Sequence, residues 1–199
     1  MKEILLPQPI PMEEPLSSVI ARRRSRRKWA KKPVELEKLA TILWAVQGIT
    51  DKRHGFRAVP SAGATYPLEV YVVVENVTGL DKAIYHYNPY NHSLEVVKTG
   101  SYGASLEKAC LGQEWVGRAP FNIVLTAVFF RTTRYYGERG VMYVYLEAGH
   151  AGQNIYLAAE ALGLGTVAIG AFYDEMVSEI LGLTGSEKPV YIFPVGYPV

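Results

Sequence analysis

The chain has 199 residues, of which 49% are hydrophobic and 20% charged, so one packed domain over residues 1–199 is expected and wholesale disorder is excluded. The formal net charge of +2 hides an asymmetry, because residues 22–32 hold eight of the 21 Lys and Arg residues and no acidic residue. The single cysteine, Cys110, excludes an internal disulfide, and the four scattered histidines lack metal-ligand spacing, so no metal site is predicted.

The N-terminal region, residues 1–15, is predicted to form an extended arm because prolines interrupt it. It lacks the apolar segment of a signal peptide. The chain also contains no run near the ~18 apolar residues that a membrane span requires. We therefore expect a soluble, cytoplasmic protein without membrane contact.

The elements that follow the arm alternate between helix and strand patterns. Helical spacing from Leu16 onward predicts a first helix that closes at Ser25, and residues 35–46 predict a second one. Residues 53–67 are rich in Gly, Pro, Ser and Ala and predict a loop before a buried strand at residues 68–74. The later elements are predicted to be a hairpin (83–87 and 93–98), a short helix (105–111), a strand (121–130), a long helix (141–162), a strand (166–171), a helix (174–181) and a strand (190–195). Helices mixed with mostly antiparallel strands indicate an α+β fold, a central sheet flanked by helices.

The basic segment at residues 22–27 reads Arg-Arg-Arg-Ser-Arg-Arg and follows the first predicted helix. A guanidinium group can donate two hydrogen bonds to phosphate oxygens at once, and a serine hydroxyl adds another donor. Charge alone leaves three interpretations open: a solvated basic patch, a nucleic-acid-binding arm, or a site for a small phosphate ligand. The rest of the chain holds 13 basic and 19 acidic residues, which disfavours a broad nucleic-acid-binding face.

Two further segments offer backbone groups to a flat ligand. Residues 60–67, Pro-Ser-Ala-Gly-Ala-Thr-Tyr-Pro, present amides and two hydroxyls, although a tight turn before a strand also explains them. Residues 163–170, Gly-Leu-Gly-Thr-Val-Ala-Ile-Gly, follow a predicted helix and open a strand. That order is the reverse of a dinucleotide-binding fingerprint, so a Rossmann site is excluded.

Four segments, taken in order, resemble the nitroreductase-like family of FMN-dependent enzymes. They are residues 23–29 (Arg-Arg-Ser-Arg-Arg-Lys-Trp), 60–67, 148–154 (Ala-Gly-His-Ala-Gly-Gln-Asn) and 161–170. The resemblance extends over residues 16–196. Residues 60–67 are most similar to the azoline-dehydrogenase-like branch, which acts in thiazole and oxazole peptide biosynthesis.

The resemblance implies a nitroreductase-like fold and a homodimer with FMN at its interface. Arg23, Ser25 and Arg27 would hold the FMN phosphate and ribityl chain, with Arg27 reaching the pyrimidine edge of the ring. Many members add a C-terminal Lys or Arg, whereas this chain ends at Val199, so the clustered Arg22 and Arg24 would compensate. Four residues would line the flavin from the partner subunit: Pro60, Ser61, Ala62 and Gly63. Three residues would offer backbone groups towards flavin N5: Ala168, Gly170 and Ala171.

The reaction implied by the resemblance is ping-pong hydride transfer through flavin N5, from NAD(P)H to a small quinone or nitro-type acceptor. No protein acid or base is assigned. Four tyrosines are candidates for stacking on a substrate, although a structural role is the simpler interpretation: Tyr66, Tyr135, Tyr136 and Tyr145. His150 is interpreted as a hydrogen-bonded interface histidine. The alternatives are an azoline dehydrogenase, a basic-arm nucleic-acid-binding protein, and a flavin-binding protein without efficient catalysis.

Overall fold

A computed structural model describes residues 3–199, which are built around a seven-stranded sheet. Residues 1 and 2 of the predicted arm lie outside the described residues. The strands are β1 (Glu3–Leu5), β2 (Ile49–Asp51), β3 (Phe56–Arg57), β4 (Leu68–Val74), β5 (Ala83–Asn88), β6 (Ser93–Thr99), β7 (Phe121–Val128), β8 (Gly165–Thr166) and β9 (Glu187–Gly196). The large sheet has the order β1-β6-β5-β4-β7-β9-β8 and its strand pairs are antiparallel, while β2 and β3 form a separate hairpin.

Helices cover both faces of this sheet. They are α1 (Leu16–Arg22), α2 (Leu36–Gln47), α3 (Gly103–Ala109), α4 (Glu114–Gly117), α5 (Phe130–Tyr136), α6 (Arg139–Ala161) and α7 (Asp174–Leu181). One face packs against α2 and α6 and receives Val70 and Val72, whereas the other packs against α3, α4 and α7 and receives Val73. Because β4 is covered on both faces, its sequence is hydrophobic almost throughout. The predicted α+β architecture is confirmed.

The long helix α6 lies close against β9 because of a glycine. A Cβ atom at Gly152 would lie 2.7 Å from the ring of Phe193, so any larger side chain would push the helix away from the sheet. One turn earlier, Gly149 is exposed and has nothing within 4 Å of its Cβ position. The small residues of α6 therefore lie on two sides of the helix: Gly152 faces the core, and Gly149 faces the surface.

Several predicted boundaries differ from the structure, and two of the predicted strands are shorter than expected. The strand predicted at residues 121–130 ends at Val128, and Phe130 begins α5. The strand predicted at residues 166–171 ends at Thr166, after which Ile169 makes a single isolated bridge to β9. The predicted extended arm contains the edge strand β1, which pairs with β6. No helix within residues 3–199 is long and apolar enough to cross a membrane.

Candidate functional site

The basic segment leaves α1 as extended chain and lies against β8. Ser25 forms an isolated bridge with Thr166, and the Arg26 amide donates to the Thr166 carbonyl at 2.9 Å. Gly165 permits this approach, since a Cβ atom there would lie 2.7 Å from Arg26 Cγ. The course of the segment is thus fixed by backbone contacts with the sheet and not by its charges.

Tyr156, on α6, joins the basic segment to residues 168–171. Its Oη lies 3.0 Å from Ser25 Oγ and accepts a hydrogen bond from the Ala168 amide at 2.8 Å. The guanidinium carbon of Arg23 lies 4.9 Å from the centroid of its ring. The structure therefore brings together three residues predicted from the sequence, and it does so through one that was not predicted. Tyr156 is the second residue after Asn154 of the motif at residues 148–154, and this proximity is the available sequence signal.

The arginines of the basic segment differ in their partners. Arg22 is paired with two glutamates at 3.2 and 3.3 Å. Arg24 donates to two backbone carbonyls at the end of α1. Arg23 and Arg27 have no carboxylate within 4.0 Å in the described part of the chain, and Arg27 stacks over Trp115 at 5.6 Å. Stacking on a ring leaves the N–H edge of a guanidinium free for an anion.

Residues 168–171 follow β8 as irregular chain beside this segment, with Ala168 half-buried and Ile169 buried. Within residues 3–199 the amides of Gly170 and Ala171 donate no backbone hydrogen bond, and both residues are exposed. Gln113 donates to the Ala171 carbonyl at 3.3 Å from the neighbouring loop before α4. Amide donors without a protein partner are available to acceptor atoms of a ligand.

The loop at residues 60–66 is held in an unusual backbone conformation. Gly63, Ala64 and Tyr66 have φ values of 59°, 51° and 44°, in the left-handed region that is costly for residues other than glycine. Ser61 Oγ accepts a hydrogen bond from the Tyr66 amide at 2.9 Å, which closes the loop. Pro60 and Gly63 are exposed, so the outer surface of the loop is open to a partner.

One copy of the chain keeps this loop apart from the basic segment. Ser61 lies beside Glu147 of α6, while Ser25 contacts Tyr156 of the same helix. Nine residues of α-helix separate the two contacts, which corresponds to roughly 13 Å along the helix axis. Within one copy, the loop and the basic segment therefore contact different parts of α6.

Two clefts flank these segments. One of about 1230 Å³ begins at Arg27 and is lined by Lys28, Lys31 and Trp115. A smaller one of about 330 Å³ lies between the loop at residues 60–66 and the end of α5. Among residues 3–199 no group of three or more His, Cys, Asp or Glu residues is arranged to hold a metal ion.

A comparison with protein families identifies the family of the chain. The model described as the nitroreductase family matches residues 20–197. The chain belongs to the nitroreductase family. This confirms the resemblance that the four sequence segments indicated, and it makes oxidoreductase chemistry the setting for the site.

Relatives in the nitroreductase family fall into two groups. A protein of Methanocaldococcus jannaschii that carries the name of a nitroreductase is 46% identical over 181 residues, covering 91% of this chain and 90% of the relative. The microcin B17-processing protein McbC of Escherichia coli is 31% identical over 133 residues, covering 64% of this chain and 48% of the relative. The chain thus spans nearly the whole of the first relative and about half of the second.

A solved structure confirms the fold. A crystal structure described as that of a nitroreductase from Ralstonia eutropha is similar with a TM-score of 0.87 and 26% identity, covering 100% of this chain and 90% of the other. The predicted nitroreductase-like sheet flanked by helices is therefore confirmed as an architecture.

Proposed function

We propose that this chain is an FMN-dependent oxidoreductase that takes electrons from NAD(P)H and passes them to a small quinone or nitro compound. When bound, FMN would supply two-electron chemistry at its N5 atom. The observation that carries the proposal is the pair Arg23 and Arg27, which flank Ser25 and whose guanidinium groups have no carboxylate partner among residues 3–199. The relative from Methanocaldococcus jannaschii bears a nitroreductase name, which supports the same reaction class.

The residues at the site fit a phosphorylated flavin. Arg23 and Ser25 would hold the phosphate, because a fork of N–H donors and a hydroxyl suit phosphate oxygens. The Ser25 hydroxyl is already oriented by Tyr156, which reduces the ordering needed on binding. The free amides of Gly170 and Ala171 would receive acceptor atoms at the ring. Arg24, turned towards helix carbonyls, would act through its charge alone.

Arg27, stacked on Trp115, would supply a positive charge near the ring of the flavin. The guanidinium lies over Trp115 and opens towards the cleft of about 1230 Å³. A fixed positive charge near the pyrimidine edge would favour an anionic reduced ring. No side chain is assigned as an acid or base.

We further propose that the working unit is a homodimer in which residues 60–63 complete the partner's site. The outer surface of α6 carries apolar side chains that residues 3–199 of one copy leave half-exposed, with Tyr145 55% and Leu146 51% exposed. Exposed apolar groups at this density on one helix mark an interface. Single-domain organisation over residues 1–199 and a cytoplasmic location are part of the same proposal.

The test is cofactor occupancy. The purified wild-type protein is expected to show a flavin absorbance spectrum and to release FMN, identified by chromatography. The double variant R23A/R27A is expected to lose this absorbance while keeping its circular dichroism. K52A/R53A is the control, because it removes the same charge from an exposed turn. A colourless wild-type protein that added FMN cannot restore, or full occupancy in R23A/R27A, would refute the proposal.

A second candidate is oxidation of a peptide-borne azoline, favoured by the 31% identity to a protein that processes microcin B17. Rapid flavin reduction by NADH or NADPH, followed by reoxidation with a naphthoquinone or nitroarene, would support the first candidate. Turnover of a thiazoline peptide with oxygen, without a nicotinamide donor, would support the second. Steeply salt-dependent binding of DNA by a colourless protein would instead support a nucleic-acid-binding arm.

A further inference from the structure

Glu147 is a buried carboxyl group in the middle of α6 that the proposed reaction does not use. It is 3% exposed, and its Oε1 has no hydrogen-bond partner within residues 3–199. Beside it, at the end of α2, Gln47 is 1% exposed and its Nε2 is equally unpartnered in the described residues. Buried polar atoms nearly always have partners, so two neighbouring exceptions call for a functional explanation.

The surroundings of Glu147 have opposing effects on its pKa. Burial raises the pKa of Glu147 to about 7, although the Ser61 hydroxyl, the Arg57 charge and the Gln47 amide each act to lower it. Arg57, on β3, faces this group from the side of the loop; it donates to Gln47 Oε1 at 2.8 Å and stacks over Tyr66 at 4.5 Å. The carboxyl group therefore changes charge near neutral pH.

Ser61 connects this carboxyl group to the loop at residues 60–66. Its Oγ accepts from the Tyr66 amide at 2.9 Å, which leaves its own O–H as the donor towards Glu147. Tyr66 has a φ of 44°, so its conformation persists only while its contacts hold it. A change in the direction of the Ser61 hydroxyl is therefore transmitted to the backbone of the loop.

We propose that Glu147 is a positioning residue that sets the loop at residues 60–66 through Ser61 and makes cofactor binding weaken as the pH rises. Ionised Glu147 draws the Ser61 O–H to itself and away from the outer surface of the loop. It also places a negative charge directly behind a surface that receives an anionic cofactor. Both effects weaken cofactor binding as the pH rises. This inference rests on the assignment of the loop to the flavin in the proposed function.

The first experiment needs no cofactor. In the NMR spectrum of the apo-protein, the Tyr66 amide signal is expected to titrate with a midpoint near pH 7. The titration is expected to disappear in E147Q and in S61A, because each removes one member of the connection. E75Q is the matched control: Glu75 is another partly buried carboxyl group, but it binds Ser101 and two amides at the far end of β4. It is expected to leave the Tyr66 titration intact.

The second experiment measures the dissociation constant of FMN by fluorescence between pH 6 and 8.5. We expect the wild-type constant to increase several-fold over this range, and the constant of E147Q to change only as far as ionisation of the FMN phosphate itself requires. E75Q is expected to follow the wild type. If the role of Glu147 were purely structural, E147Q would lower the affinity for FMN equally at every pH.

The outcomes separate the two proposals. If FMN fails to bind the wild-type protein, the proposed function falls, yet the Tyr66 titration still tests the connection. If FMN binds and either the Tyr66 titration survives in E147Q or the pH dependence is the same in both proteins, this inference is wrong. Should E147Q not fold, E147M, which keeps the volume without a charge, and S61A decide the same question.

Discussion

At the scale of single residues, the site depends on a glycine, because the basic segment packs where a larger residue would have its side chain. Gly165 is buried in β8, and a Cβ atom there would lie 2.7 and 2.9 Å from Arg26 Cγ and Cβ. Arg26 Cβ is fixed by the backbone, so a side-chain rotation cannot relieve this contact. We predict that G165A displaces the basic segment from β8 and lowers the unfolding free energy by about 1–3 kcal/mol, as overpacking usually does. Denaturant unfolding measures this loss, and FMN titration is expected to show weaker binding.

The control for this prediction is another crowded glycine. In G117A the new Cβ would lie 2.1 Å from Glu107 Oε2, which is the far end of a flexible side chain and can move. We expect G117A to keep nearly all of its stability and cofactor affinity. Equal losses in G117A and G165A would show that general crowding, and not the contact with Arg26, is responsible.

The sequence was informative about donors and uninformative about what orients them. Arg23, Ser25 and Arg27 could be predicted because charge clustering and a family-like motif both point to them. Tyr156 could not, because it is one of 14 tyrosines and its role arises from two contacts that are distant in sequence. Glu147 was missed for a similar reason: its burial is visible only after α6 has packed against the loop.

At the scale of elements, an ion pair links β4 to β5. Glu69 Oε2 lies 2.8 Å from His86 Nε2. Burial opposes the charged imidazole, but the hydrogen bond and charge of Glu69 outweigh it and raise the pKa of His86 above its ordinary value. The folded state therefore binds this proton more tightly than the unfolded state. The stabilisation is complete below about pH 6.5 and is lost as the pH rises through the raised pKa.

We therefore predict that H86Q lowers the unfolding free energy more at pH 6 than at pH 9, with a difference on the order of 1 kcal/mol. Urea unfolding at the two pH values measures it. H54Q is the control, because His54 and Asp51 are equally close at 2.8 Å but 52% and 41% exposed, and exposed pairs contribute little. A pH-independent effect of H86Q would mean that packing against Tyr71, 4.9 Å away between ring centroids, is what matters.

The misplaced boundaries also belong to this scale. Residues 121–130 form an almost continuous apolar run, and nothing local separates the last strand residue, Val128, from the start of α5. Residues 166–171 have strand-like composition, but β9 offers pairing only to Thr166 and Ile169, so the rest stays irregular. In both places tertiary pairing decides where an element ends. The same irregularity leaves the amides of Gly170 and Ala171 free for a ligand.

For the whole molecule, the main feature to explain is an exposed, largely apolar stripe on α6. Met142, Tyr145, Leu146 and Gly149 follow helical spacing, so they lie on one side of the helix, and all four are exposed. The loop at residues 60–66 lies at the same end of α6, away from Tyr156. A second copy packed against this stripe would cover the apolar surface and bring its own loop towards the site.

We predict that L146E, which places a charge in the centre of this stripe, converts the protein to a monomer and reduces FMN affinity in parallel. The two losses are coupled because the cofactor would be held by residues from both copies. Analytical ultracentrifugation gives the oligomeric state and fluorescence titration gives the affinity. L5E is the control, since Leu5 is 72% exposed on β1, the edge strand at the opposite end of the sheet from β8 and β9, against which α6 packs. A monomeric L146E that binds FMN as tightly as the wild type would show that one copy is sufficient for the site, whereas a dimeric L146E would place the interface elsewhere.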